Sequence, residues 1–284
     1  MNNADRQYGE LYQRLVKDGQ WVKNERTGKN CLTLINANFE YDVGSKDYPL
    51  ITTKLVSNTS ALAEMLGYIR GYTSAADFRR IGCKTWDANA NKTQAWLNNP
   101  NRKGVDDMGK VYGAIARNFG GLDLINKVYN NLRAGIDDRR EIITFYKPDE
   151  FHLGCLRPCM HSHHFSLVNG VLHMTSTQAS ADVPLGLPFN MVQAYFLLDL
   201  MSKITGNKAG KVYHNIVNLH VYEDQLDILH EQMKRKPFEC SPELEISGWV
   251  KSMEHLMDER FDVRKHCTVL NYESHPRIIY PFSE

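Results

Sequence analysis

Cys159 is the residue whose type and position most directly suggest covalent chemistry. It follows Pro158 and leads into a predicted hairpin. A cysteine attacks carbon as the thiolate, which needs a nearby cation or hydrogen-bond donor. Arg157 lies two residues away and could supply the charge. The alternative is a small buried thiol, which is the commoner role of a single cysteine.

Glu64 is a candidate acid or base within a predicted helix. Residues 58–70 have helical spacing, and Glu64 sits beside Ala63 and Met65. A carboxylate in apolar surroundings is destabilised unless it is paired or protonated. Glu64 is therefore either a satisfied structural group or a tuned acid or base.

A cluster of cysteine and histidine residues raises the question of a metal site. The residues concerned are Cys155, Cys159, His161, His163 and His164. On a strand, His161 and His163 share a face while His164 points away. This spacing matches no zinc site, so no metal is predicted.

Further polar side chains lie in apolar company near a predicted buried helix. Gln178, Ser180 and Asp182 alternate along one predicted strand, and Asn190 begins the helix. A buried Asn amide offers both a donor and an acceptor, which suits the edge of a heterocycle. A second alternating segment places four polar residues on one face of a strand: His214, Asn218, His220 and Tyr222. Together these residues indicate an enzyme-like pocket.

The elements that must position these residues follow from the spacing of apolar residues. Helices are predicted over residues 8–16, 58–70, 122–132, 189–204 and 223–234, and strands over 35–43, 142–146, 164–168, 171–175 and 213–222. Asn169-Gly170 predicts a type I′ hairpin turn. On the strand 35–43, one face is predicted to carry Ile35, Ala37, Phe39, Tyr41 and Val43.

The arrangement of these elements predicts a single α+β domain. Helices and hairpins are mixed without regular βαβ alternation. No linker or repeat divides residues 1–284, and the polar stretch 87–110 is predicted to be a surface insertion.

Composition narrows the class of partner. The 34 Lys and Arg nearly balance the 33 Asp and Glu, for a net charge of +1. Nucleic-acid binding depends on clustered excess cations, so a nucleic-acid partner is not expected. The N-terminal residues lack a signal-peptide pattern, and no apolar segment reaches the length of a membrane span. We therefore expect a cytoplasmic protein with six reduced cysteines.

The order of short motifs along the chain resembles the thymidylate synthase and pyrimidine-nucleotide hydroxymethylase superfamily. The matching segments run from about residue 5 to 280, and they are Arg26-Thr27-Gly28, Glu64, Trp86-Asp87, Val111-Tyr112-Gly113, Asp138-Arg139-Arg140, Pro158-Cys159, Gln178-x-Ser180-x-Asp182, Leu185-Gly186-Leu187-Pro188-Phe189-Asn190 and His220-x-Tyr222. The resemblance implies a large mixed sheet surrounded by helices, with two such sheets packed back to back in a homodimer.

The resemblance also implies a one-carbon transfer from 5,10-methylenetetrahydrofolate to C5 of a pyrimidine nucleotide, without a metal. Cys159 would add to C6 of the ring, which makes C5 nucleophilic. Glu64 would handle protons, and Tyr112 would assist removal of the C5 proton.

The binding residues implied by the resemblance divide by the part of the ligand they contact. Arg26, Arg139 and Arg140 would hold the nucleotide phosphate, with Arg139 and Arg140 donated by a second subunit. His220 and Tyr222 would bind the sugar. Asn190 would read uracil, which favours dUMP over dCMP. Gln178, Ser180 and Asp182 are further expected substrate contacts, and the residues expected to line the folate are Trp86, Asp182 and Gly186.

Departures from the family pattern bear on the product. An arginine of the family, which binds phosphate and contacts the thiolate, is replaced by Ala179, and Arg157 is expected to supply the missing charge. Met160 and the C-terminal residues 280–284 differ from the synthase pattern. In synthases the C-terminal residues cap the folate, and a weaker cap would let water attack the intermediate. We therefore expect a dUMP hydroxymethylase, of the kind that a virus with modified DNA would use in its host's cytoplasm. A thymidylate synthase is the alternative, and an inactive nucleotide- or RNA-binding homologue is a remote one.

Overall fold

A six-stranded mixed β-sheet forms the centre of the molecule. The structure is a computed structural model, and it describes residues 1–25 and 27–282. The strands of the sheet are β1 (Gln20–Lys23), β2 (Asn30–Asp42), β3 (Glu141–Thr144), β4 (Met160–Val168), β5 (Val171–Asp182) and β6 (Lys208–Tyr222). They lie in the order β1-β2-β6-β5-β4-β3, and every neighbouring pair is antiparallel except β5 and β6. A separate antiparallel pair joins β7 (Glu243–Ile246) and β8 (Cys267–Leu270). The predicted mixed α+β class is confirmed.

Helices surround this sheet. They are α1 (Asn3–Asp18), α2 (Asn58–Arg70), α3 (Ala75–Arg80), α4 (Asp87–Asn91), α5 (Gln94–Leu97), α6 (Gly113–Arg117), α7 (Leu124–Arg133), α8 (Gly186–Thr205), α9 (Glu223–Met233), α10 (Met253–Met257) and α11 (Val263–His266), with a 3-10 helix over Pro148–Leu153. Helix α8 packs against α2, β5 and β6. Most of its side chains are buried, as expected of a helix that is apolar nearly all round.

The predicted hairpin between β4 and β5 is confirmed. Asn169 and Gly170 have φ values of 51° and 76°, and a type I′ turn requires positive φ at both positions. The turn fixes the pairing of the two strands as far as Ser162 and Thr177, and a β-bulge between Ser162 and Met160 then sets Met160 opposite Gln178. It thereby brings Cys159 and the polar residues of β5 to the same end of the sheet.

The inward face of the sheet shifts by one residue at the same level in β2, β5 and β6. In β2 the buried residues change from Leu32 and Leu34 to Ala37 and Phe39, and Asn36 between them has a φ of 62°. A left-handed residue breaks the two-residue alternation of a strand. The prediction that Ile35 faces the core is therefore wrong, because its side chain is 62% exposed.

The same shift corrects two predicted polar faces. In β6, His214 lies in the buried row with Ile216, whereas Asn218 and His220 alternate with the buried residues that follow. In β5, Gln178 belongs to the buried row, while Ser180 and Asp182 do not. His214 and Gln178 are thus core residues beside the pocket rather than members of its open face.

The segment 87–110 is not simply a surface insertion. It contains α4 and α5, and it buries Trp96, which is 2% exposed and donates its indole N–H to the Asp107 carbonyl at 2.6 Å. Arg79 clamps the segment through ion pairs with Asp87 and Asp106. The polar composition reflects this ion-pair network as well as exposure.

Neither a membrane span nor a metal cluster occurs in the part of the chain that the structure describes. No helix there has the length and hydropathy for crossing a bilayer, and no group of three or more His, Cys, Asp and Glu side chains could hold an ion.

Candidate active site

Cys159 stands at the entrance to β4 and is held by two neighbouring elements. Its backbone N–H donates to the Tyr112 hydroxyl at 3.0 Å, and its carbonyl accepts from the Ala179 N–H at 2.7 Å. The Ser180 hydroxyl donates to its sulfur at 3.8 Å. The thiol is partly exposed. Cys159 is therefore positioned on both sides and remains accessible to a ligand.

Tyr112 reaches Cys159 because the backbone before α6 takes an unusual turn. Its φ is 44°, and a Cβ on the next residue, Gly113, would lie 1.7 Å from the Tyr68 carbonyl oxygen. Only glycine fits this close approach. The Tyr112 ring stacks on Tyr68 with centroids 4.5 Å apart, and burial raises the pKa of Tyr112 well above its ordinary value. The phenol is therefore neutral and its direction is fixed.

Glu64 is a buried carboxyl group with hydrogen-bond partners on both oxygens. Its side chain projects from α2, the residue is 7% exposed, and it accepts from Gln193 Nε2 at 2.7 Å and from the Thr85 hydroxyl. Burial raises the pKa of Glu64 above its ordinary range, although these hydrogen bonds oppose the shift. The carboxyl group is thus satisfied by hydrogen bonds and has a raised pKa, and its role as an acid or base stays a prediction.

Asn190 lies at the start of the second turn of α8, held by two glutamines. Its Oδ1 accepts from Gln178 Nε2 at 2.8 Å, and its Nδ2 donates to Gln193 Oε1 at 2.9 Å. These bonds leave one N–H and one lone pair of the amide for a ligand. Sequence reasoning missed Gln193, although a glutamine in so apolar a helix is itself a signal of a buried polar contact.

Asp182 and Gly186 lie next to Asn190. A Cβ on Gly186 would lie 3.7 Å from Asn190 Oδ1 and 3.9 Å from Asp182 Cβ. Asp182 accepts from the Leu185 N–H at 2.8 Å and from Gln225 Nε2 at 2.9 Å, and burial raises its pKa. The structure therefore brings together Asp182 and Gly186, two of the three residues expected to line the folate.

Gln225 also joins this carboxyl group to the end of the described chain. Its Nε2 donates to the Pro281 carbonyl at 2.9 Å as well as to Asp182. Residues near the C terminus are therefore docked beside Asp182.

Trp86, the third expected folate contact, belongs to the aromatic cluster behind the site. It is 3% exposed and packs against Tyr68 and Tyr112. Its indole N–H is buried without a hydrogen-bond partner among the described residues. The structure therefore places Trp86 against the ring that fixes Cys159.

His220 and Tyr222 lie together as predicted. Their rings form an edge-to-face contact with centroids 5.3 Å apart, and His220 pairs with Asp182 across β5 and β6. His220 Nδ1 lies 3.0 Å from Asn218 Oδ1. The pair therefore sits at the same end of the sheet as Asp182.

The expected phosphate arginines lie elsewhere. Arg139 and Arg140 are exposed at the edge of the sheet, where Arg139 has a φ of 68° and the carboxylates of Asp137 and Asp138 accept the two backbone N–H groups. Arg26 lies outside the described residues.

Arg157 makes a different contact from the expected one. Its exposed guanidinium lies over the Phe151 ring, 5.6 Å from the centroid. The described hydrogen bonds of Cys159 instead involve Tyr112, to which it donates, and Ala179 and Ser180, from which it accepts.

A family model described as thymidylate synthase matches residues 6–284. The chain belongs to the thymidylate synthase family. It is 57% identical to a thymidylate synthase of Idiomarina loihiensis, 55% to one of Glaesserella parasuis and 56% to one of Haemophilus influenzae, in each case over 98% of this chain and 99% of the relative. Membership in the thymidylate synthase family confirms the predicted fold and the folate-dependent one-carbon chemistry.

Proposed function

We propose that this chain is a thymidylate synthase, which converts dUMP to dTMP with methylenetetrahydrofolate and releases dihydrofolate. The observation that carries the proposal is the match of nearly the whole chain to relatives of that name. Those relatives favour the synthase over the hydroxymethylase expected from Met160 and the C-terminal residues. The proposed unit is one catalytic domain, residues 1–284, acting in the cytoplasm as a homodimer.

Cys159 carries the covalent step of the proposal. Its sulfur adds to C6 of the uracil ring, so that electron density shifts to C5, which becomes the carbon nucleophile. Methylenetetrahydrofolate supplies the one-carbon unit and, afterwards, the hydride. The neutral Tyr112 hydroxyl, already beside Cys159, assists removal of the C5 proton by hydrogen bonding to the water that accepts it. The sulfur leaves again when the product forms.

Glu64 and Asn190 support that step from the other side of the base. The remaining donor and acceptor of the Asn190 amide match O4 and N3–H of uracil. Glu64, whose pKa is raised by burial, exchanges protons with the ring through water. Gln193 contacts both residues and so couples their positions.

The position of Arg139 and Arg140 supports a site shared between subunits. Phe165 of β4 pairs with Glu141, directly after Arg140, and lies six residues from Cys159 along the chain. At about 3.3 Å per strand residue, six residues span about 20 Å. This separation favours a phosphate site in a second subunit, which the two arginines would complete.

Product analysis tests this proposal. With dUMP and methylenetetrahydrofolate, a synthase produces one dihydrofolate for each dTMP, seen as a rise in dihydrofolate absorbance. A hydroxymethylase instead releases tritium from [5-³H]dUMP without that rise. We expect both signals in equal amounts, and tritium release alone would overturn the synthase assignment.

A further inference from the structure

A continuous series of hydrogen bonds runs through the core from the sheet to the catalytic carboxyl group. Its six members are Tyr41, His214, Gln178, Asn190, Gln193 and Glu64, and we call it the amide relay. Only Asn190 and Glu64 were expected to contact the reacting base or its proton. Tyr41 and His214 lie behind Gln178 and are fully buried.

Each bond of the amide relay has a direction. The Gln178 amide nitrogen donates at 2.8 Å both to Asn190 Oδ1 and to the Ser180 carbonyl oxygen, and a carbonyl oxygen can only accept. Gln178 Oε1 must therefore receive its hydrogen bond from His214 Nε2, at 2.8 Å. The imidazole then carries its proton on Nε2.

The hydrogen bonds on either side of His214, Gln178 and Asn190 are donated in the same direction along the amide relay. His214 Nδ1 lies 3.1 Å from the Tyr41 hydroxyl, which donates to it. Burial lowers the pKa of His214 to about 3, so the ring is neutral and has one N–H. At the other end, Asn190 donates to Gln193, and Gln193 donates to Glu64.

Reversing the amide relay would turn the Asn190 carboxamide over. Its free N–H and free lone pair would then exchange places. Uracil presents an acceptor at O4 and a donor at N3, whereas cytosine presents a donor at N4 and an acceptor at N3. The two directions of the relay therefore match the two pyrimidines.

We propose that His214, held by Tyr41, is a positioning residue that locks the Asn190 carboxamide in the orientation that reads uracil. The inference rests on the proposed function, because it takes Asn190 to be the residue that contacts the base. Without the His214 N–H, Gln178 Oε1 would be a buried acceptor without a donor, and the amide would lose one of the two contacts that set its direction, the other being the Ser180 carbonyl.

His214→Leu and His214→Gln form the test pair. The first removes the donor, and the second keeps an N–H at the reach of Nε2. Dissociation constants are measured for dUMP, for dCMP and for deoxyribose 5-phosphate, which lacks the base. For His214→Leu we expect the preference for dUMP over dCMP to fall about tenfold, the effect of one buried hydrogen bond, with unchanged affinity for deoxyribose 5-phosphate. His214→Gln should keep most of the preference.

Two results would overturn the role of His214 while leaving the proposed function intact. One is an unchanged dUMP preference in His214→Leu, and the other is an equal loss of affinity for all three ligands. If His214→Leu fails to fold, Tyr41→Phe decides in its place, since it removes only the hydroxyl; a preference within twofold of wild type would then reject the proposal. A wild-type protein that does not prefer dUMP would instead contradict the proposed function itself.

Discussion

At the residue scale, the buried carboxyl group of Glu64, for which we propose a role in proton transfer, lowers the stability of the fold. Because burial raises its pKa, the folded state holds the proton more tightly than the unfolded chain does. Stability therefore falls as the pH rises from the ordinary value of 4.5 through the raised folded value, and the loss persists at higher pH.

Glu64→Gln removes this charge. Its amide oxygen can still accept from Gln193, and its amide nitrogen can donate to the Thr85 hydroxyl oxygen, which reverses that hydrogen bond. We expect turnover to fall at least about 100-fold, as for loss of a general acid or base. The free energy of unfolding should exceed that of wild type at pH 8, and the difference should vanish below pH 4.5. Chemical denaturation across that pH range measures it.

The matched control is Glu231→Gln. Glu231 is an exposed residue paired with Lys234, so its substitution should change neither turnover nor stability noticeably. A Glu64→Gln protein that gains no stability at pH 8 would contradict the account of the buried charge.

The replacement of a family arginine by Ala179 is the sequence difference that bears most on substrate binding. Its N–H donates to the Cys159 carbonyl at 2.7 Å, so a side chain at this position starts beside the nucleophile. Ala179→Arg should raise dUMP affinity about tenfold through charge-assisted hydrogen bonds to the phosphate. Ala179→Gln, which adds length without charge, should not. Titration calorimetry measures the dUMP affinities. Equal affinities for the two variants would show that a positive charge at position 179 does not strengthen dUMP binding.

Arg157→Ala tests the proposed replacement of that charge. If Arg157 assists the thiolate, the substitution slows formation of the Cys159 adduct markedly. Stopped-flow rates within twofold of wild type would assign Arg157 to its contact with Phe151 alone.

At the scale of elements, the turn into α6 controls the catalytic cysteine. Gly113→Ala would force a Cβ against the Tyr68 carbonyl and displace Tyr112 from Cys159. We expect destabilisation of about 1–3 kcal/mol, typical of overpacking, and slower adduct formation.

Gly9→Ala is the matched control for that substitution. Gly9 lies within α1 with nothing near its missing Cβ. Alanine there should stabilise the protein by about 0.5–1 kcal/mol. Thermal unfolding distinguishes the two variants, and a Gly113→Ala protein as stable as wild type would show that α6 can move freely.

Much of the secondary structure could be predicted from the sequence because the signals are local. The spacing of apolar residues indicated α1, α2, α8 and α9, and Asn169-Gly170 indicated the hairpin turn. The shift of the inward face in β2, β5 and β6 could not be predicted in this way. It depends on three strands kinking at the same level, which no single strand specifies.

That shift also explains what was missed at the site. Simple alternation grouped His214 with Asn218 and His220, whereas the structure buries His214 behind Gln178. Gln193 and Thr85 were missed because the partner that they share, Glu64, is distant from both in sequence. The candidate residues came largely from resemblance to a family, and their hydrogen-bond partners required the fold.

At the scale of the whole molecule, the net charge of +1 does not reveal where individual arginines lie, such as Arg139 and Arg140 beside Asp137 and Asp138. Arg139 and Arg140 are exposed at the sheet edge, about 20 Å from their own Cys159 by the strand geometry given above. In the proposed homodimer, these arginines would complete the phosphate site of the partner subunit.

Mixing two inactive variants tests the shared site. One carries Cys159→Ser, and the other carries Arg139→Ala with Arg140→Ala. Half of randomly exchanged dimers would be mixed, with one intact site each, so about a quarter of wild-type activity should return. The control is the arginine variant taken through the same exchange procedure by itself, because none of its dimers can form an intact site. No recovery after confirmed subunit exchange would place the arginines in their own subunit's site.

The central claim, that Cys159 forms a covalent bond to the pyrimidine during one-carbon transfer, is tested most directly by trapping that adduct. 5-Fluoro-dUMP carries fluorine where the C5 proton must leave, so the reaction with methylenetetrahydrofolate stops at the bridged complex. Mass spectrometry should find one nucleotide and one folate attached to the peptide that contains Cys159, and none in Cys159→Ser. A wild-type protein that binds both ligands and forms no adduct would contradict the account and identify an inactive nucleotide-binding member of the family.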